Sequence, residues 1–165
     1  MAKPQLVYVT YIATTPERLW EALTGGEFTR IYWYNRRIES EWQVGSPVAF
    51  YDGDSQTVTD KGEVLTYEPP RKLAYTFRYM LEPGGPFSEP SRVSFSLEPD
   101  GGLVKLTLIH DQLPDEETVD GFREGWAPII SSLKTYLETG KPLERMRKFE
   151  EQGRVEAQQS SAKSQ

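Results

Sequence analysis

The chain contains a single histidine, His110, and its position limits the chemistry that its ring could perform. Leu106 and Leu108 precede it in steps of two, which places the imidazole on the apolar face of a strand. There it could act as an acid or base together with tyrosine hydroxyls, provided that its pKa stays near neutrality. The alternative is a core histidine whose ring nitrogens are paired. Asp111 faces the other way, so the two residues form no ready dyad.

Arginines are the second group of residues that could recognise a ligand, because a guanidinium binds a carboxylate or phosphate through two parallel hydrogen bonds. Arg78 and Arg92 lie in predicted strands, and alternation places Arg78 on the solvated face of its strand. Arg36 and Arg37 follow a predicted helix, and the pattern leaves their orientation open.

Several other chemistries lack the residues that they need. The absence of cysteine excludes disulfides, thiolate zinc sites and cysteine nucleophiles, and one histidine excludes a multi-histidine metal centre. The sequence has no phosphate-binding loop and no nucleophile elbow, and the acidic run at 115–117 is typical of the first turn of a helix. We therefore expect no metal and no cofactor.

Length and charge narrow the class of protein further. The 165 residues favour one domain, which we place at residues 1–142, followed at 143–165 by a short amphipathic extension and a polar tail expected to be disordered. The net charge of −6 argues against nucleic acid as a partner. No run of apolar residues suits a signal peptide or a membrane span, so a cytoplasmic protein is expected.

The hydrophobic pattern predicts an α+β fold. A strand at 6–13 precedes two short helices, the first starting at residues 14–17 (TTPE) with a hydroxyl N-cap and a proline, and ended by the glycines at 25–26. Alternation with period two then predicts a meandering antiparallel sheet of about six strands. Apolar residues spaced by three and four from Phe122 to Leu137 predict a long final helix, in which Pro128 is expected to cause a kink.

Three segments resemble one protein family in their order and spacing. Residues 15–24 (TPERLWEALT) resemble the opening helix of the START-like, or polyketide cyclase, superfamily, and residues 68–77 (EPPRKLAYTF) resemble its mid-sheet turn and strand. Residues 106–110 (LTLIH), followed by Gly125, Trp126 and Leu133, resemble the end of one branch, the activator of heat-shock protein 90 ATPase homologue-like family.

This resemblance implies a helix-grip fold. In that fold a curved antiparallel sheet of six or seven strands wraps around the long C-terminal helix and leaves an internal cavity. It implies binding of small apolar molecules as the common theme, and it suggests stress response and a chaperone as a less expected partner. Four Trp, nine Tyr and seven Phe could line such a cavity. The expected ligand-binding residues are Trp20, Trp33, Tyr34, Trp42, Tyr75, Phe77, Tyr79, His110, Trp126 and Ile130.

Three functions remain open at this point. The leading hypothesis is a protein that binds a small hydrophobic or amphipathic molecule without catalysis. The second is a cyclase, dehydratase or hydrolase that uses His110 with tyrosine hydroxyls. The third is a chaperone accessory or regulator partner, which predicts an exposed apolar patch around Leu143, Met146 and Phe149. The sequence identifies no ligand and leaves homodimerisation open.

Overall fold

A computed structural model describes residues 3–149 of the chain. One strand, two short helices, six strands and a long helix follow one another, as the hydrophobic pattern predicts. The α-helices are α1 (Pro16–Thr24), α2 (Gly26–Tyr32) and α3 (Glu116–Thr139); a 3-10 turn spans Pro86–Ser88, and residues 144–149 are also helical. The strands are β1 (Leu6–Ile12), β2 (Arg36–Ser40), β3 (Pro47–Asp52), β4 (Val58–Glu68), β5 (Lys72–Tyr79), β6 (Ser91–Asp100) and β7 (Leu103–Asp111).

The seven strands form one antiparallel sheet in the order β1-β7-β6-β5-β4-β3-β2. Strands β2 to β7 therefore lie beside their neighbours in sequence, while β1 pairs with β7, with Leu6 opposite His110. The inner face of the curved sheet packs against α3 through alternate residues, as in β7, where every second side chain from Val104 to His110 is buried. The predicted helix-grip architecture is confirmed.

Strand β2 is the element that the sequence analysis did not identify. Two arginines and a glutamate make up most of its five residues, so no apolar alternation marks it. Successive side chains of a strand point to opposite faces, so the two arginines of β2 lie on different sides of the sheet. Arg36 shares the inner face with the buried Ile38, whereas Arg37 turns outward and lies over the Tyr51 ring at 4.8 Å.

The ends of the helices follow from local hydrogen bonding. Thr15 Oγ1 accepts from the Arg18 amide at 3.2 Å at the start of α1, and Asp115 Oδ1 accepts from the Thr118 amide at 2.8 Å at the start of α3. Gly140 ends α3 with a φ of 86°. Pro128 lies inside α3 and the helix continues through it, so the proline removes one backbone donor without ending the helix.

The segment after α3 packs onto the domain, which corrects the expectation of an exposed apolar patch. Met146 is fully buried in the core, and its Sδ accepts from the Tyr34 amide at 3.3 Å. The Phe149 ring lies 5.4 Å from the Tyr34 ring. The three apolar residues of this segment therefore face the protein, although Phe149 stays partly exposed. The expected disordered tail after Gly153 lies outside the described residues.

Gly62 marks a close approach between two strands. A Cβ atom built there would lie 1.6 Å from the Thr76 carbonyl oxygen of β5, so any side chain must push the backbones apart. We expect Gly62→Ala to lower the free energy of unfolding by about 2 kcal/mol or more, measured by urea denaturation. Gly102→Ala is the matched control because nothing lies within 4 Å of its Cβ. Equal stability of the two variants would contradict this packing.

Candidate functional site

A cavity of about 270 Å³ lies between the inner face of the sheet and α3. Its volume lies just below the range of small-molecule pockets, which is about 300–1,000 Å³. Aromatic rings form most of its wall, which is completed by an arginine, an aspartate, two glycines and an isoleucine. The lining residues are Trp33, Tyr34, Arg36, Asp60, Phe77, Tyr79, Phe87, Gly121, Phe122, Gly125, Trp126 and Ile129.

Half of the expected ligand-binding residues line this cavity. They come from three separate parts of the fold: the turn after α2, strand β5 and helix α3. The residues that the structure brings together are Trp33, Tyr34, Phe77, Tyr79 and Trp126. Alternation along β5 explains why Phe77 and Tyr79 face the same space.

The other five expected residues lie elsewhere. Trp20 and Trp42 both pack against Tyr67, with ring centroids at 5.4 and 5.9 Å, and form an aromatic cluster of their own. Tyr75 is fully buried, with its ring centroid 6.2 Å from that of Phe50 and 6.3 Å from that of Phe95, and it does not line the cavity. Ile130 and His110 are buried and do not line the cavity. The periodicity of a helix or strand predicts on which face a side chain lies, but it does not predict how deeply that side chain is buried.

The polar part of the cavity is an ion pair between β2 and β4. Arg36 Nε lies 3.5 Å from Asp60 Oδ2, and the Asp60 side chain is only 2 % exposed. Thr59 Oγ1 donates to the same carboxylate oxygen at 2.7 Å. Burial raises the pKa of Asp60, and Arg36 and the Thr59 hydrogen bond oppose that shift.

Sequence reasoning missed Asp60, although a signal was present. Aspartate is depleted in strands, and Asp60 lies inside strand β4. A carboxylate buried on the inner face of a strand costs free energy unless it is paired. The sequence therefore marked Asp60 as a residue that needs a partner, but without β2 it did not indicate that this partner is Arg36.

Trp33 forms part of the cavity wall, and its indole nitrogen is buried within that wall. Its ring is buried against Trp126 and Phe50, with centroids at 5.1 and 4.9 Å, and its Nε1–H has no acceptor among the described residues. The following residues Tyr34 and Asn35 both have left-handed φ values, 46° and 58°. Non-glycine residues adopt this conformation at an energetic cost, and two in succession reverse the chain so that Trp33 and Arg36 reach the same cavity.

His110 lies behind the cavity wall in a complete chain of hydrogen bonds. The Trp126 indole donates to His110 Nδ1 at 3.0 Å, and Nε2 lies 2.7 Å from Ser91 Oγ. Because an indole N–H can only donate, Nδ1 is unprotonated, and Nε2 therefore donates to Ser91. The Ser91 hydroxyl in turn donates to the Phe77 carbonyl at 3.0 Å.

This geometry is that of a paired core histidine. Burial lowers the pKa of His110 to about 4, so the ring is neutral at pH 7. The lone pair on Nδ1 is the place where the neutral ring could take up a proton, and it already accepts the hydrogen bond from Trp126. The rings of Phe77 and Phe122, at 6.0 and 4.2 Å, stand against the imidazole, and both line the cavity. A ligand in the cavity would therefore meet these rings before it met His110.

The remaining arginines and carboxylates of interest lie on the surface. Arg92 forms a two-point ion pair with Asp111 on the outer face of the sheet, and Arg78 is exposed, as alternation predicts. Within residues 3–149, no group of three or more His, Asp or Glu side chains is arranged to hold a metal ion. None of the helices in that range is both long and apolar enough to cross a bilayer.

Comparison with known proteins assigns the chain to a family. The sequence matches the family described as "Activator of Hsp90 ATPase homolog 1-like protein" over residues 13–138. The chain therefore belongs to this family, which confirms the resemblance noted in its three segments. No match was found among the curated proteins.

Solved structures share the fold at low sequence identity. Protein MLL2253 from Mesorhizobium loti is 24% identical, with a TM-score of 0.69 over 81% of this chain and 96% of its own. CalU16 from Micromonospora echinospora is 19% identical, with a TM-score of 0.67 over 90% and 83% of the two chains. The Aha1 dimer from Colwellia psychrerythraea is 21% identical, with a TM-score of 0.67 over 84% and 98%.

The buried His110 predicts a pH dependence of stability. The unfolded chain takes up a proton near pH 6.5 and the folded chain only near pH 4, so stability falls as the pH drops through this window. Between pH 7 and pH 4.5 the wild type should lose about 2–3 kcal/mol relative to His110→Gln, measured by urea denaturation. Asp60 is present in both proteins, so its opposite contribution cancels. Parallel pH profiles would show that His110 is not buried in its neutral form.

Proposed function

We propose that this protein binds a small amphipathic molecule in the cavity between the sheet and α3. The observation that supports this most directly is the composition of the wall. Aromatic rings surround a space that also holds the Arg36–Asp60 pair and the unpartnered Trp33 indole. Pockets for small molecules combine an apolar wall with a few fixed polar groups in this way.

Two features of the wall that cost stability also support ligand binding. A buried donor without an acceptor costs about 1–3 kcal/mol, and the Trp33 indole is such a donor. Helix α3 places Gly121 and Gly125 on the cavity side, although a glycine inside a helix costs roughly 1 kcal/mol relative to alanine. A Cβ at Gly121 would lie 2.6 Å from the Phe87 ring, so this glycine lets Phe87 into the wall, whereas a Cβ at Gly125 would meet nothing within 4 Å and the space beside it stays open.

The alternatives receive less support from the geometry. Acid–base catalysis by His110 would need a free ring nitrogen at the cavity, and both nitrogens are engaged behind the wall. An interaction surface at 143–149 would need an exposed apolar patch, and Met146 is buried. One related structure is of a dimer, but a likeness at 21% identity carries only the fold to this chain.

Native and denaturing mass spectrometry of the freshly purified full-length chain tests the proposal. We expect a mass excess that is lost on denaturation, as for a molecule held without a covalent bond. The Gly125→Phe variant provides the structural test, because Gly125 lines the cavity and a Cβ there meets nothing within 4 Å. A phenyl ring at this position should fill the opening and remove the mass excess.

Gly125→Ala is the matched control for that experiment. Its methyl group leaves most of the cavity free, so the mass excess should persist. Alanine should also raise the free energy of unfolding by about 0.5–1 kcal/mol, because it restores helix propensity. An excess that survives in Gly125→Phe would mean that the molecule lies elsewhere and would contradict the proposal.

A further inference from the structure

The polar groups of the cavity differ in how many of their hydrogen-bonding positions are already used, and this difference bears on the chemical class of the ligand. The Trp33 indole donates to nothing among the described residues. Arg36 uses Nε toward Asp60, and neither of its two terminal nitrogens has a hydrogen bond within residues 3–149. The cavity therefore offers unused donors.

The acceptor in the cavity is more fully engaged. Asp60 receives the Thr59 hydroxyl at 2.7 Å and faces the Arg36 guanidinium at 3.5 Å, and its side chain is almost wholly buried. Arg36 is the more accessible partner, since 26 % of its side chain is exposed. A ligand that enters the cavity would therefore reach the guanidinium more readily than the carboxylate.

The position of Arg36 suits a planar acidic group. Its guanidinium carbon lies 6.0 Å from the centre of the Tyr79 ring, which also lines the cavity. With Nε directed at Asp60, the two terminal nitrogens remain for a second acceptor, and guanidinium geometry matches a carboxylate at two points. Trp33 lines the same wall, so its ring can report on what enters the cavity.

From this arrangement we propose that the ligand is a monocarboxylic acid with an apolar, ring-sized body, whose carboxylate accepts hydrogen bonds from the terminal nitrogens of Arg36. The inference rests on the proposed function, because it assigns a head group to the molecule in the same cavity. Asp60 then has a definite role: it holds Arg36 at the wall and limits how strongly the guanidinium attracts an anion.

Three naphthalene probes with the same body and different head groups test this inference. They are naphthalene-2-carboxylic acid, 2-(hydroxymethyl)naphthalene and 2-(aminomethyl)naphthalene, titrated into the full-length protein at pH 7 by calorimetry. The indole N–H signal of Trp33, assigned with Trp33→Phe, reports by NMR whether each probe occupies the cavity. We expect the acid to bind at least tenfold more tightly than the alcohol or the amine and to shift the Trp33 signal.

Two substitutions with opposite expected effects separate recognition from stability. Arg36→Gln should weaken binding of the acid at least tenfold and leave the alcohol unchanged, whereas Asp60→Asn should strengthen binding of the acid several-fold, because Arg36 no longer shares its charge. The double variant Arg36→Gln/Asp60→Asn should lose the preference for the acid over the alcohol, and it leaves no carboxylate of the pair buried without its partner. Arg92→Gln is the control, since Arg92 pairs with Asp111 outside the cavity and should change nothing.

The outcomes distinguish the two proposals. Equal affinities for the three probes, with the Trp33 signal shifted by each, would overturn the carboxylate inference and leave ligand binding in the cavity intact. Tightest binding of the amine would also overturn it and would identify Asp60 as the recognising group. A Trp33 signal that none of the probes shifts would overturn both proposals. Weaker acid binding in Asp60→Asn would show that the pair acts only through stability.

Discussion

One chain of hydrogen bonds joins the helix to the sheet, and the cavity depends on it. Trp126 of α3 donates to His110 of β7, which donates to Ser91 of β6, whose hydroxyl reaches the Phe77 carbonyl of β5. Apolar packing has no direction and would let α3 slide over the sheet, whereas directed bonds between four elements hold one position. With α3 fixed in this way, the space beside Trp126 persists instead of closing.

The structure tolerates several unfavourable features around that space. A carboxylate is buried, an indole lacks an acceptor, two successive residues hold left-handed conformations and two glycines interrupt a helix face. Each is destabilising in itself, and together they surround one cavity. The remaining core is closely packed, from the aromatic cluster around Tyr67 to the buried Met146. Similar costs also occur away from the cavity, as at the buried Tyr75 hydroxyl, which has no partner among residues 3–149, and at Trp42 and Gln112, which have left-handed φ values. The composition of the wall is therefore what supports a functional interpretation of the cavity.

The sequence predicted the architecture because apolar and polar residues alternate clearly along most of its strands, as in β5 and β7. It predicted Phe77 and Tyr79 in the cavity wall for the same reason, whereas Phe87 and Phe122 were not among the expected ligand-binding residues. It did not predict β2, whose charged residues hide its period, and so it could not place Arg36 beside Asp60. Nor could it separate Tyr75 from Tyr79, which share a face of β5 but differ in depth, since depth depends on the curvature of the whole sheet.

The order of the strands also bears on how the chain folds. From β2 to β7 every strand pairs with the next one in sequence, so these contacts close short loops. Strand β1 is different: it pairs with β7, and Leu6 lies opposite His110 across nearly the whole sequence of the domain. Closing that long loop costs more conformational entropy than closing the short ones. Strand β7 also carries the histidine that binds α3, so the pairing of β1 and the attachment of α3 depend on the same strand.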